Sequence, residues 1–327
     1  MVFLGKEVLQ GARLAKRGDL QTSYVLPITQ ANFNEMLTRI QRQSNMVVRP
    51  DQTKWVVQTV SDEGSQSPFL ARLSLGILRL RDVVKPDPAK REKFDHSYDV
   101  VFSSLLIART AAQKILQMWE QHARKVASGE IARLEGKTMH INESIDTELK
   151  KEVESFLNAA VRALKDGMQV VAKEAQVSIG FLFKKQSAFD TGVAHLKTTD
   201  PALAEYLRQT RTWSELLVRS RNAMHEGWML SRVAYSHTDG RAIAHEPSIA
   251  DQRVTEFVKF MLDRLSCFVE EMTAHCLQRL MPAGITIAEI ALAQRLAEAP
   301  ERFRVTLAMG GLPAWQIVFH DSSFEET

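Results

Sequence analysis

A long apolar stripe near the carboxyl-terminal end of the chain is the feature that constrains its fold most strongly. Between positions 251 and 281 an apolar residue recurs at every third or fourth position, and Pro282 follows. The members of this stripe are Val254, Phe257, Met261, Leu265, Phe268, Met272, Cys276 and Leu280. The spacing is that of one face of an α-helix, and a proline directly after the pattern ends such a helix. A helix this long must bury its apolar face against other elements.

Three more segments carry helical patterns. Residues 101–126 are rich in Ala, Leu, Gln, Arg and Lys, which favour helices, and residues 146–183 carry a second apolar stripe at spacings of three and four. Asp200 followed by Pro201 predicts the start of a further helix, because an N-cap carboxylate and a first-turn proline both suit that position. The fold is therefore predicted to be mainly α.

The residues before position 146 have a mixed pattern. A helix is predicted for residues 30–42, and short strands are predicted for residues 46–49 and 55–60. Residues 69–84 are largely apolar, which fits either a helix or a buried strand. Residues 85–93 contain two prolines and four basic residues, which predicts a loop or linker.

Turn and capping signals organise the carboxyl-terminal part. Asp239-Gly240 lies between two short strand-like segments and is a strong signal for a two-residue hairpin turn. Thr286 and Glu289 form a capping-box pattern, which predicts a helix that runs to about Ala297. Residues 303–319 are predicted as a strand, a Gly-Gly turn and a second strand.

The length of 327 residues exceeds that of one typical hydrophobic core. We therefore predict a mixed α/β region with a long helix at residues 1–145, whose role the sequence does not indicate. A helical domain with a hairpin insert follows at residues 146–285, and a short helix with a β-hairpin at residues 286–327.

Composition excludes several classes of protein. Hydrophobic residues make up 45% and charged residues 25% of the chain, and the net charge of +3 is too small to indicate nucleic-acid binding by itself. Cys267 and Cys276 are nine residues apart on one predicted helix, a rise of about 13.5 Å, so they cannot form a disulfide with each other. Residues 1–19 lack a continuous apolar core of a signal peptide, and no apolar run reaches membrane-spanning length. We expect a cytoplasmic protein with no membrane contact.

One short segment carries the residues that suit chemistry. Residues 218–225 place Arg219, Arg221, Asn222 and His225 within about two helical turns. Arginine grips phosphate oxygens in pairs, and histidine exchanges protons near neutral pH. On an ideal helix Arg221 and His225 lie about 40° apart, whereas Arg219 lies about 120° from His225. The segment is therefore the candidate for binding or cleaving a phosphodiester without a metal.

The pattern of this segment resembles the signature of the HEPN superfamily, an Arg followed by four to six residues and a His, often with Asn directly after the Arg. Arg219 has the required spacing to His225, whereas the Arg-Asn pair is supplied by Arg221 and Asn222. The order of helices over residues 146–281 also resembles a HEPN domain. The resemblance implies a helical bundle that is frequently dimeric, and a metal-independent endoribonuclease of toxin–antitoxin or anti-phage systems.

The resemblance also implies a chemistry and a set of partners. His225 would transfer the proton when the 2′-hydroxyl of RNA attacks phosphorus, Arg219 and Arg221 would hold the phosphate, and Asn222 would orient a group at the site. The expected partners are RNA, a second copy of the chain, and an antitoxin or defence-system protein. No cofactor is expected, and the scattered histidines and cysteines predict no metal site.

Two alternatives stay open at this point. Either arginine fits the HEPN pattern in one respect only, so the sequence does not decide which of the two binds phosphate. The helices also fit a non-catalytic module that dimerises or binds a nucleotide or a partner protein. Cationic residues at helix ends are common because they interact favourably with the helix dipole. Lys184 and Lys185, with Lys173 and Arg162 nearby in sequence, fit either a basic patch for RNA or a solvated helix face.

Overall fold

The computed structural model describes residues 2–4, 24–26, 64, 66–84, 88–227, 230–308 and 315–326. The helix predicted at 30–42 and the strands predicted at 46–49 and 55–60 lie outside the described residues. The described part is mainly helical, as predicted. The helical segments are α1 (residues 68–83), α2 (Pro88–Ala127), α3 (residues 146–174), α4 (Gln186–Thr199), α5 (Pro201–His225) and α6 (Val254–Leu280).

The strands form small two-stranded sheets. β1 (Val2–Leu4) and β2 (Tyr24–Leu26) are parallel. The antiparallel pairs are β3 (Ala132–Glu135) with β4 (Thr138–Ile141), β5 (Ala234–Thr238) with β6 (Arg241–His245), and β7 (Ser248–Ile249) with β8 (Gln252–Arg253). β9 (Ile285–Glu289) pairs with β10 (Phe303–Leu307).

The chain divides into two compact units. The N-terminal unit comprises Met1–Val83 and Ile287–Thr306, and the helical unit comprises Val84–Thr286 and Leu307–Thr327. Helix α2, which the sequence analysis assigns to the region before residue 146, belongs to the helical unit. In the N-terminal unit, α1 lies beside Glu301, which forms an ion pair of 2.8 Å with Arg79.

Helix α6 is the centre of the helical unit. It contacts α2, α3 and α5, while α2 packs along α3 and α4 packs along α5. Every residue from Arg264 to Leu277 is buried, so this part of the helix is surrounded on all sides. The stripe that predicted α6 is therefore core except for Leu280, which is exposed, and each large buried side chain in it contributes about 1.5–3 kcal/mol by burial. Within the described residues, no helix has the length and apolar content needed to cross a membrane.

Helices α1 and α3 each contain one π-helical turn. In α1 it covers Ala71–Gly76, and in α3 it covers Arg162–Gly167. Residues 69–84, which fitted either a helix or a strand, are thus almost entirely helical. A side chain at Gly167 would come within 2.5 Å of Val101 Cγ2, so α2 and α3 approach closely at this glycine.

Two predicted helix boundaries are wrong. The loop predicted at 85–93 includes the first residues of α2, because the helix begins at Pro88 and a proline suits the first turn of a helix. The helix predicted at 146–183 ends at Glu174. There Gln176 has a φ of 59°, its N–H donates to the Lys173 carbonyl, and the Val177 N–H donates to the Ala172 carbonyl. This is a Schellman motif. The sequence does not indicate it, because the residue in the left-handed conformation is glutamine and not the usual glycine.

The hairpin prediction at Asp239-Gly240 is confirmed. Thr238 and Arg241 are cross-strand partners, and both turn residues have positive φ, at 51° and 80°. This is the turn geometry that Asp-Gly favours. A second hairpin, β3–β4, was not predicted. Its turn contains Gly136, with a φ of 62°, between two helical segments where no strand was predicted.

The carboxyl-terminal prediction is wrong in two respects. Thr286 to Glu289 belongs to strand β9 and does not start a helix. β-branched residues dominate this segment, and the Ile290 N–H donates to the Arg302 carbonyl, so strand pairing prevails over the capping pattern. Residues 303–307 form a strand as predicted, but residues 315–320 have no regular secondary structure. They lie within the segment 315–326, whose residues bond to α6.

The start of α5 was predicted from Asp200-Pro201 and is confirmed. Asp200 accepts a hydrogen bond from the Leu203 N–H at 3.0 Å, and its carboxylate lies 3.2 Å from His275 Nε2 and 3.5 Å from Arg279. Burial alone would raise the pKa of the Asp200 carboxyl, but the close approach of His275, the hydrogen bond from the Leu203 N–H and the charge of Arg279 lower it below its ordinary value.

We expect Asp200→Ala to lower the free energy of unfolding by about 1–2 kcal/mol at neutral pH, the usual effect of a lost N-cap. The lowered pKa means that the folded state binds the proton less readily than the unfolded state. The stabilisation is therefore complete above the unfolded pKa and disappears as the pH falls through the folded pKa. Urea denaturation of both proteins across the acidic range measures this. The control is Asp166→Ala, which removes an exposed aspartate. A difference in unfolding free energy between the wild type and Asp200→Ala that is the same at every pH would contradict the lowered pKa of Asp200.

Candidate functional site

The four candidate residues occupy the last two turns of α5. The helix continues to His225 and stops because Gly227 adopts a φ of 94°, a backbone conformation that glycine reaches without strain. Arg219, Asn222 and His225 are exposed, and Arg221 is half-buried. Ser220, between the two arginines, is buried against the core.

The structure places the candidates on two faces of α5. Arg219 and Asn222, one turn apart, line a cleft of about 520 Å³. Arg221 and His225 are not among the residues that line this cleft. This matches the angle of about 120° that an ideal helix puts between Arg219 and His225. Within one chain, Arg221 and His225 therefore lie outside the cleft that Arg219 and Asn222 line, with Asn222 about 60° from both Arg219 and His225 on an ideal helix.

The cleft lies between α5 and the segment that enters α4. Lys184, Lys185 and Gln186 form one wall, and Arg219, Asn222 and Glu226 contribute to the other. Counting Arg211 and Glu215, four basic and two acidic side chains line it, so the cleft carries an excess of positive charge. The sequence indicates the two lysines but does not link them to the Arg/His segment (residues 218–225), because their approach to α5 depends on tertiary packing.

Arg211 fixes the wall that carries the lysines. Its guanidinium donates to the Leu182 carbonyl, lies 5.1 Å from the centre of the Phe189 ring, and forms an ion pair of 3.1 Å with Glu215. The Arg211 side chain is 11% exposed, so its contacts with Leu182 and Phe189 are shielded from solvent, whereas the partner Glu215 is exposed. They tie the turn before α4 to α5 and thereby hold Lys184 and Lys185 opposite Arg219.

The candidate side chains have no structural partners among the described residues. No hydrogen bond or ion pair there involves the side chains of Arg219, Arg221, Asn222 or His225. Two arginines earlier in α5 do have partners. Arg208 pairs with Glu205, and Arg211 pairs with Glu215 and donates to the Leu182 carbonyl. The cationic groups at the end of α5 are therefore available to a ligand.

A second polar centre holds the β5–β6 hairpin and was missed by sequence reasoning. His122, on α2, is 1% exposed, and its Nε2 lies 2.9 Å from the Tyr235 hydroxyl. Burial lowers the pKa of His122, although the nearby carboxylates of Glu143 and Asp146 oppose this. Asp146 in turn accepts a hydrogen bond of 2.8 Å from the Val233 N–H, just before the hairpin. Since His122 is enclosed, we assign this centre to docking of the hairpin and not to catalysis.

The cysteines and the possible metal ligands add no further site. Among the described residues, Cys267 and Cys276 form no disulfide and both are buried, and burial raises the pKa of the Cys276 thiol to about 12. In the part of the chain that the structure describes, no cluster of His, Cys, Asp or Glu has the arrangement of a metal site.

Comparison of the chain with models of known protein families, with curated proteins and with solved structures finds no match.

Proposed function

We propose that this protein is a metal-independent endoribonuclease of the HEPN type, with the end of α5 as its active site. One observation carries the proposal: Arg219, Arg221, Asn222 and His225 cluster on two helical turns and have no partner among the described residues. The mainly helical unit around α5 and α6 supports it as well. We place this activity in the cytoplasm, as part of a toxin or anti-phage system in which a partner protein restrains the enzyme.

The chemistry follows from the residue types. The ribose 2′-oxygen attacks the adjacent phosphorus, and the bond from phosphorus to the 5′-oxygen breaks. His225 accepts the 2′-hydroxyl proton, and an arginine stabilises the charge on the non-bridging oxygens. The products carry a 2′,3′-cyclic phosphate and a 5′-hydroxyl, and no electron or metal is required.

The split between the two faces of α5 favours a site that two chains share. In a symmetric dimer, every contact between one residue of the first copy and another residue of the second is matched by the reciprocal contact. If the Arg219–Asn222 face of one copy meets the His225 face of the other, the reciprocal pair of faces meets as well, and each dimer has two equivalent sites. This arrangement assigns phosphate binding to Arg219 and leaves Arg221 on the same face as His225.

A second function is favoured by the same split. If His225 never meets the cleft, the protein is a non-catalytic module that binds RNA or another phosphate-bearing partner through Arg219 and its neighbours. The two functions differ in turnover and not in binding.

Incubation of the purified protein with structured RNA in EDTA distinguishes the nuclease from the non-catalytic binding module. We expect cleavage that persists in EDTA and fragments that carry 2′,3′-cyclic phosphate ends, identified by mass spectrometry. Tight binding with intact RNA would support the module, and cleavage that requires a divalent metal would contradict the proposed mechanism.

A further inference from the structure

The cleft at the end of α5 has features that the HEPN-like pattern does not include. One of its walls comes from outside the Arg/His segment and carries Lys184 and Lys185, both exposed. Among the described residues, neither lysine has an ion pair or a side-chain hydrogen bond. Two free ammonium groups therefore border the same space as Arg219 and Asn222.

We propose that this cleft is a subsite for the backbone of single-stranded RNA, in which Lys184, Lys185 and Arg219 contact phosphates. The inference rests on the proposed function, since it names how the same site holds its substrate. It assigns to the two lysines a role in binding that is separate from the proton transfer at His225.

The dimensions of the cleft fit this ligand. A volume of about 520 Å³ lies within the range of about 300–1,000 Å³ that small-molecule sites occupy, enough for a nucleotide unit and not for a double helix. Lysine binds phosphate as a point charge and tolerates variation in the position of the oxygens. Two adjacent lysines on a connecting segment therefore suit a backbone of any sequence.

The cleft is also held in shape before a ligand arrives. The turn Gly180–Phe183 precedes the lysines, and Phe181 packs so closely on α4 that a side chain at Gly192 would collide with its ring. Phe181 and Phe189 are in ring contact at 6.1 Å. Together with the bond from Arg211 to Leu182, these contacts reduce the ordering cost of binding.

The acidic rim predicts the opposite effect from the lysines. Glu226 lines the cleft, is exposed and has no side-chain partner among the described residues. Its negative charge repels a phosphate. Neutralising it as Glu226→Gln is therefore expected to strengthen RNA binding, and a variant that gains affinity is not explained by loss of folding.

The experiment measures binding of a short fluorescent 2′-O-methyl RNA oligonucleotide by anisotropy at several salt concentrations. The 2′-O-methyl group removes the nucleophile, so binding is read without cleavage. We expect the double variant Lys184→Ala with Lys185→Ala to bind more weakly and to reduce the magnitude of the slope of log K against log salt by about 1.4, because each contact with a single strand contributes about 0.7. We expect Glu226→Gln to bind about two- to fivefold more tightly, the range that one surface charge interaction gives.

A matched control is available on α3. Lys150 and Lys151 are also adjacent in the helical unit, where Lys151 is exposed and Lys150 is half-buried, but they pair with Glu154 and Glu148. The double variant Lys150→Ala with Lys151→Ala removes the same charge and should leave the salt slope unchanged. Equal slopes for the two double variants would overturn the subsite, as would unchanged affinity of Glu226→Gln.

The outcome for the subsite is distinguishable from that for the nuclease. Lysine-dependent binding without cleavage of unmodified RNA supports the subsite and contradicts the nuclease. Cleavage of unmodified RNA with lysine-independent binding contradicts the subsite alone.

Discussion

Replacing His225 by alanine is expected to slow RNA cleavage by about 10²–10⁴-fold, the range that positioned general acid–base catalysis contributes. The stability of the protein should not change, because the imidazole is exposed and has no side-chain partner among the described residues. Single-turnover cleavage of a labelled RNA, with urea denaturation of the same preparations, measures both quantities. The matched control is His195→Ala, which removes an exposed histidine from the neighbouring helix α4. If His225→Ala and His195→Ala cleave RNA at the same rate, His225 does not transfer the proton.

Mixing inactive variants tests whether two copies share the site. In a mixed dimer of Arg219→Ala and His225→Ala chains, one of the two shared sites pairs an intact Arg219 with an intact His225. After subunit exchange, half of the dimers are mixed, so on the order of a quarter of the wild-type activity returns. A site formed within one chain would regain nothing. The same mixture made with Arg221→Ala in place of Arg219→Ala distinguishes the two arginines, because Arg221 shares the His225 face and its loss should not be complemented.

Replacing Arg264 by alanine is expected to lower the free energy of unfolding by about 3 kcal/mol. Arg264 lies on α6, and its side chain is 6% exposed. It donates to the His320 carbonyl at 2.8 Å and to the Ser322 carbonyl, and it pairs with Asp263 at 2.7 Å. Its removal leaves a half-buried carboxylate and two carbonyls without their donor, and breaking such a buried pair costs about 3–5 kcal/mol.

The effect should be concentrated in residues 315–326. Asp263 also accepts a hydrogen bond of 2.6 Å from the Phe324 N–H, so loss of Arg264 disturbs the remaining attachment of this segment. Urea denaturation gives the change in stability, and hydrogen exchange of the amide of Phe324 reports local release. Arg208→Ala, which breaks an exposed pair with Glu205, is the control, with an expected change below about 1 kcal/mol. Similar changes in both variants would refute the role assigned to Arg264.

Local sequence signals predicted the elements that depend on local physics. The apolar period of α6, the Asp200 cap of α5 and the Asp239-Gly240 turn each act within a few residues, and each prediction is confirmed. The capping-box pattern at Thr286 failed because strand pairing with residues about 15 positions away decided that segment. The predicted end of α3 was wrong because Gln176 adopts a positive φ, a conformation that usually indicates glycine.

The candidate site was predictable only where it depends on residues that are close together in the sequence. The spacing of Arg219, Arg221, Asn222 and His225 on one helix follows from the sequence, and so does the angle between its two faces. The contribution of Lys184 and Lys185 does not, since about 35 residues separate them from Arg219. Their approach depends on how Arg211 and Phe189 join α4 to α5, which no periodicity encodes.

The wide turn in α3 has a consequence for how this chain tolerates insertions and deletions. A π-helical turn holds one more residue than an α-helical turn, and each residue of an α-helix advances the side chains by about 100°. The turn at Arg162–Gly167 therefore sets the rotational phase between the two halves of α3, so that Phe156 and Val171 both point inward. A one-residue deletion within it would rotate one half against the other, whereas substitutions of its exposed members leave the phase intact.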